Sequence, residues 1–250
     1  MNSDWSPSWL LEERTPVLEF KHRPVKFFFG NLPAYDILNL PANEGMHYNK
    51  ELRLLLAASG DLRNVVKTLV SLPGDYNSTI DLVINDRDMD IVARNTILML
   101  IALVVEEDKA AIECMIHFWY SPLIRPSDFS TLVGKIRPLI EDVVRKVANK
   151  PESQWLGKTW NIRATTLRVE LPKRSWDRLL AYFDVPAGLT AERASEIRKD
   201  VMLSSERVDL RELYTLLKMP AHRVSLAKFR QDGILLPFGA SMGGFTLPNP

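Results

Sequence analysis

An α/β fold, with a Rossmann-like, mainly parallel sheet and a helical insertion or annex, is what the sequence predicts, on three observations. "LRLLLAA" (52–58) is an apolar run apart from Arg53, and "TIDLVIND" (79–86) is a second one around Asp81. Between them, "SGD" (59–61) turns into "LRNVVKTLVSL" (62–72), where Leu62, Val65, Val66 and Leu69 recur on one helical face. Parallel strands are covered on both faces and read as continuous apolar runs, so this rhythm is a βαβ unit with a right-handed crossover.

The elements follow in order. Residues 1–24 read as an irregular N-terminal arm with Trp5, Trp9 and Leu10 as docking points, and "VKFFFGN" (25–31) as a short aromatic strand or extended segment. "PAYDILNLPANEG" (33–45) is punctuated by Pro33, Pro41 and Gly45, which makes it a turn-rich lead-in to the βαβ unit. "MDIVARNTILMLIALVVEED" (89–108) is apolar around almost its whole circumference, interrupted mainly by Arg94 and Asn95, and so predicts a buried helix. "KAAIECMIHFWYSPL" and "SDFSTLVGKIRPLIEDVVRKVANK" continue the helical period, with Ser127 as an N-cap and Pro138 as a kink or break. "ATTLRVEL" (164–171) alternates, placing Leu167, Val169 and Leu171 on the buried side of a half-exposed strand. "RSWDRLLAYF" sets Trp176, Leu179, Leu180 and Phe183 at helical spacing, and "TAERASEIRKDVML" starts at the cap Thr190. The Gly- and Pro-rich tail "ILLPFGASMGGFTLPNP" reads as a loop whose strand partner lies beyond the chain. The organisation expected is an arm (1–24), a Rossmann-like βαβ core (25–125), and a helical annex with a C-terminal strand, helix and loop region on the same core (126–250), in a truncated chain.

The totals narrow the function. The 250 residues are 46% hydrophobic and 25% charged, ordinary for a globular protein and incompatible with dominant disorder. A net charge of +1 provides no overall field for nucleic acid or an acidic membrane, although Arg145, Lys146 and Lys150 form a local basic group. The acidic N-terminus without a continuous apolar core is no secretory signal, and "TILMLIALVV" is too short to span a bilayer, so a cytoplasmic protein is expected. Cys114 is the only cysteine, which excludes an internal disulfide and a thiolate zinc site; the four dispersed histidines have no metal-binding spacing. His117 and Cys114 read as core residues. No nucleophile motif and no phosphate loop of the G-x-x-x-x-G-K-[ST] type occurs, so catalytic residues stay unknown.

Ligands of such sheets bind outside the carboxyl ends of the strands, where helix N-termini collect. The candidate cofactor-binding residues are therefore Ser59, Gly60, Asp61 and Asn64 at the first turn and Asn85 and Asp86 at the end of the second strand. Gly60 allows a positive φ or a close approach, and Asp86 is placed to hold ribose hydroxyls. A dinucleotide fingerprint needs three glycines, and only Gly60 is present; Asp61 would also repel a pyrophosphate. S-adenosylmethionine, which carries no phosphate, remains. The alternatives are that Asp61 caps the helix, and that Asp86 is solvated or pairs with Arg87 or Arg94. The carboxylates of "NDRDMD" suit a helix N-terminus better than a magnesium site.

"PAYDILNLPANEG", "LLLAASGDLRNVVKTL", "LVINDRDMDIVARNTILMLIAL" and "HFWYSPL", in this order over about 27–123, resemble a domain of unknown function found in fungal proteins, often near a MYND zinc finger, and in the N-terminal region of axonemal dynein assembly factor number three. "RVDLREL", "KFRQDGILLPFG" and "FTLPNP" resemble the segments that follow it. The resemblance implies a methyltransferase-type Rossmann-like fold, cytoplasmic assembly of protein complexes, and signature positions at Ser59, Gly60, Asp61, Arg63, Asn64, Asn85, Asp86 and Arg94. No MYND finger fits in a chain with one cysteine. The expected function is a non-catalytic interaction or assembly module with protein partners, without nucleic acid, membrane or zinc finger. The alternatives are an S-adenosylmethionine-dependent methyltransferase of unknown acceptor, and a nucleoside or metabolite sensor.

Overall fold

The computed structural model describes residues 33–203, 208–237 and 239–250. Trp5, Trp9, Leu10 and the "VKFFFGN" segment lie outside them.

The predicted βαβ unit is present: β1 (Leu52–Ala57), α1 (Arg63–Val70) and β2 (Ile80–Asn85), with β1 and β2 parallel in register from Leu52 opposite Ile80 to Ala57 opposite Asn85. Its sheet differs from the one expected. Among the described residues β1 and β2 form a sheet of two strands, and two further two-stranded antiparallel sheets complete a mixed α/β architecture. No Rossmann-like sheet forms among the described residues; the expectation is reduced to a single parallel pair. Among the described residues the pair is covered on one face only. Leu56, Leu82 and Ile84 pack onto the core, whereas Leu55 and Val83 on the opposite face are 69% and 52% exposed. The apolar face expected of α1 splits likewise: Leu62, Val65 and Thr68 are buried, and Val66, Leu69 and Val70 are exposed.

The core is built on α2 (Met89–Val104), whose Ala93, Ile97, Leu98, Leu100 and Ile101 are fully buried, as its all-round apolar sequence requires. Asp88 caps this helix, accepting from Asp90 N–H at 2.9 Å. Against it lie α3 (Asp108–Tyr120), the short strand β3 (Leu123–Ile124) and α4 (Pro126–Thr131). The cap of α4 is not Ser127. The helix starts one residue earlier, at Pro126, and the Asp128 carboxylate takes the Arg125 N–H at 3.1 Å. A five-residue π-helical turn (Leu132–Ile136) then leads without a gap into α5 (Arg137–Val147), so the regular α-helical ladder is interrupted directly before Pro138, which has no N–H to give it.

A strand that the sequence reading missed, β4 (Trp155–Ile162), forms an eight-pair antiparallel hairpin with β5 (Thr165–Pro172). The turn between them puts Arg163 at φ +54°. Trp160, Val169 and Leu171 face the core, together with Trp176 and Leu179 of α6 (Lys173–Ala181), and Trp176 Nε1–H donates to the Leu156 carbonyl at 3.1 Å. Three further helices follow: α7 (Ala191–Met202), α8 (Val208–Leu216) and α9 (Pro220–Asp232). The expected cap of α7 holds, with Thr190 Oγ1 accepting from Arg193 N–H at 3.2 Å. The tail finds its partner inside the chain. β6 (Leu247–Pro248) pairs antiparallel with β3, and Asn249 Nδ2 donates to the carbonyls of Phe118 and Ser121.

Candidate functional site

The carboxyl ends of β1 and β2 lie side by side, joined by Ser59 N–H donating to Asn85 O at 2.9 Å. The chain turns sharply here, with Ala58 at φ +53° and Gly60 at φ +60°. A Cβ at Gly60 would meet nothing within 4 Å, so the glycine serves the positive φ and not a close approach.

The Asp86 carboxylate occupies the position where a ribose was expected. Its Oδ2 accepts from Gly60 N–H at 2.9 Å and its Oδ1 from Asp88 N–H at 2.9 Å. One side chain thus ties the first turn to the second and uses the N–H that an incoming ligand would seek. Asp61 is buried and bends back on its own helix, Oδ1 accepting from Arg63 N–H at 3.2 Å and lying 3.5 Å from Arg63 Nε. The N-cap position itself is Leu62, which makes no side-chain capping bond, so Asp61 supports the helix start from an Asx turn one residue ahead of the cap and is not the cap. Arg94 is drawn below its usual pKa by burial, a loss opposed by Asp61, Tyr120 and Asp86. Asn64 Oδ1 accepts from Tyr35 N–H at 3.2 Å, and Thr68 Oγ1 from Ile37 N–H at 3.0 Å; both hold the lead-in segment on α1. Asn85 contributes its backbone carbonyl, and its residue surface is exposed.

Of the six expected residues, Ser59 and Asp86 line a cavity of about 130 Å³ beside the turns, and Gly60 adjoins it through Asp86. The cavity lies between the inner face of β2 (Leu82, Ile84), the α2 face formed by Val92, Asn95, Thr96 and Met99, and residues 167–171 of β5. Five consecutive β5 residues line it, so the strand offers its backbone edge and not one side-chain face. Asn95 is the residue that the site reading missed. It is 2% exposed, and its Nδ2 donates to the Gly60 carbonyl at 2.7 Å. The signal was an amide inside an otherwise apolar helix. Asn95 Oδ1 and Ser59 Oγ are buried with no hydrogen-bond partner.

Elsewhere the titratable groups are structural. His117 Nδ1 lies 2.8 Å from Asp128 Oδ2, both buried, and the His117 ring packs edge-on to Phe245 at 4.7 Å. Burial pushes the nearby Cys114 thiol up to about 12, the opposite of what a nucleophilic cysteine needs. Arg145 and Lys146 of the basic group both pair with Asp142. Among the described residues no cluster of His, Cys, Asp and Glu could hold a metal ion, and no helix is long and apolar enough to cross a membrane.

Residues 28–124 match a family described as a domain of unknown function (DUF4470). The matched span coincides with the expected 27–123, and the match carries no link to MYND fingers or dynein assembly factors. No curated protein and no solved structure matches the chain.

Proposed function

We propose that the protein is a non-catalytic interaction module whose βαβ unit derives from a Rossmann-like, methyltransferase-type sheet and whose strand-end crevice has been closed by its own side chains. The observation that carries this reading is the double use of Asp86. The carboxylate that would hold ribose hydroxyls bonds the Gly60 and Asp88 N–H groups instead. A cavity of about 130 Å³ also falls below the roughly 300–1,000 Å³ of sites that enclose drug-sized ligands. The interaction role is supported by the outer face of β1 and β2, where Leu55 and Val83 are exposed on a parallel pair, a type of sheet that is ordinarily covered on both sides. A cytoplasmic setting and protein-complex assembly rest on the fungal and assembly-factor resemblance alone.

Calorimetry and thermal shift of the purified chain with S-adenosylmethionine and S-adenosylhomocysteine test the closed crevice. No saturable binding to the folded chain is expected. Saturable binding that is lost in Asp86→Ala would replace this reading with a methyltransferase. The interaction role is tested by comparing the wild type with Leu55→Lys/Val83→Lys in affinity capture from a cytosolic extract. A stoichiometric partner retained by the wild type and lost by the folded double variant is expected, and equal retention by both would remove the sheet face from the interface.

A further inference from the structure

The cavity beside the two turns supports an inference independent of the interaction-module reading. Asn95 is buried in the middle of α2, and its Nδ2 bond to the Gly60 carbonyl fixes which way the amide points. Its Oδ1 is thereby left as an acceptor without a donor, and Ser59 Oγ on the facing turn is buried and equally unmet. Both residues line the same cavity. A buried polar atom without a partner is costly in a low-dielectric interior, so an amide acceptor and a hydroxyl that can donate or accept, both at one end of a cavity, specify what should enter.

The charges narrow the choice. Asp86 bonds two backbone N–H groups, and Arg168 at the rim engages Glu170, Nε to Oε1 at 2.7 Å. Arg94, next to Asn95 on α2, lies in the electrostatic field of Asp61 and Asp86 and does not line the cavity. An anionic ligand would find the Asp86 and Glu170 carboxylates in the wall and no unspent cation among the described lining residues. The rest of the wall joins an apolar side, Leu82, Ile84, Val92 and Met99, to Thr96 and the β5 edge that carries Arg168 and Glu170. At about 130 Å³ the cavity is slightly smaller than the engineered apolar void of about 150 Å³ that admits benzene.

From these complementarities we infer that the cavity is a binding site for a compact uncharged molecule: an apolar body the size of one aromatic ring, carrying one hydroxyl whose O–H donates to Asn95 Oδ1 and whose oxygen accepts from Ser59 Oγ–H. Phenol is the probe, with toluene as its donorless counterpart and benzoate as its anionic one. All are titrated into the full chain and followed by thermal shift and by the side-chain amide resonances of Asn95. Phenol should raise the melting temperature and move the Asn95 amide saturably. Toluene should bind about tenfold more weakly, the value of one hydrogen bond to a buried acceptor, and benzoate should not bind.

Asn95→Leu would also remove the Gly60 contact and so confound folding with binding. Ser59→Ala and Val92→Phe are used instead, the first removing only the hydroxyl and the second filling the void. Weaker phenol binding in folded Ser59→Ala, and none in folded Val92→Phe, is the expected pattern. If Val92→Phe does not fold, the resonance map decides: shifts confined to Ser59, Asn95 and Thr96 support the site, and shifts elsewhere overturn it. The proposal also fails if phenol produces no saturable shift in the wild type, if toluene binds as tightly as phenol, or if benzoate competes. S-adenosylmethionine binding would sink the interaction-module reading and leave the phenol result standing on its own.

Discussion

Ala58 holds φ +53° at the first turn, a region in which an L side chain is strained, and its side chain is exposed. Ala58→Gly removes that strain at the cost of a more flexible unfolded chain. The variant should be more stable by up to about 1 kcal/mol in urea denaturation, because the αL penalty of an alanine exceeds the entropic cost of a glycine. Cys114 makes the second prediction at this scale. Its thiol is raised by burial from 9.0 to about 12. Between these values the unfolded chain holds a thiolate and the folded chain a thiol, so the folded state binds the extra proton and stability falls as pH rises through that window. Native Cys114 should resist iodoacetamide at pH 8 and react on unfolding; rapid native labelling would contradict the buried assignment. Both residues were visible in the sequence, Cys114 by its apolar neighbours. The strain at Ala58 was not, since alanine has no signature for a positive φ.

Among the elements, the C-terminal strand is the one whose role depends most on distant partners. Phe245 sits against His117 and under the Arg125 guanidinium, 4.9 Å from its ring centre, and Asn249 donates to two carbonyls at the end of α3. Asn249→Ala leaves those carbonyls without this donor, so a loss of about 1–3 kcal/mol is expected in chemical denaturation. A change within about 0.5 kcal/mol, the range of ordinary surface substitutions, would mean that the strap is not seated as described. The Asp128 carboxylate joins α3 to α4 through a buried contact with His117 and a part-buried one with the Arg125 N–H. Asp128→Ala should cost about 1–3 kcal/mol in chemical denaturation, because it leaves the His117 ring nitrogen and the Arg125 N–H without this partner. Local pattern identified α2, β5, α6 and the cap of α7, because apolar periodicity and caps act within one or two turns. It missed β4, where Gly157, Lys158 and Thr159 interrupt a strand whose pairing with β5 comes from cross-strand register and not from its own composition.

At the scale of the whole molecule, one contiguous core links the inner face of the parallel pair to α2, α3, the hairpin and α6. The outer face of the pair takes no part in it. Leu55→Lys/Val83→Lys should therefore change the melting temperature little, because both side chains are already largely in water. A large fall would mean that this face is covered in solution, and analytical ultracentrifugation of the two proteins would then show whether a second copy covers it.

Short-range periodicity is enough to read the strand, turn, helix and strand of the βαβ unit and the burial of α2, and short motifs are enough to bound the matched span at 28–124. What the unit became depends on contacts between distant parts of the chain. The Asp86 bond to Gly60 spans 26 positions, the Asn95 bond to Gly60 spans 35, and β6 reaches β3 across more than a hundred. Contacts at such separations depend on which apolar faces the rest of the chain can cover. Among the described residues that coverage leaves one sheet face open and turns the carboxylate expected at a ribose into a clamp on its own turn.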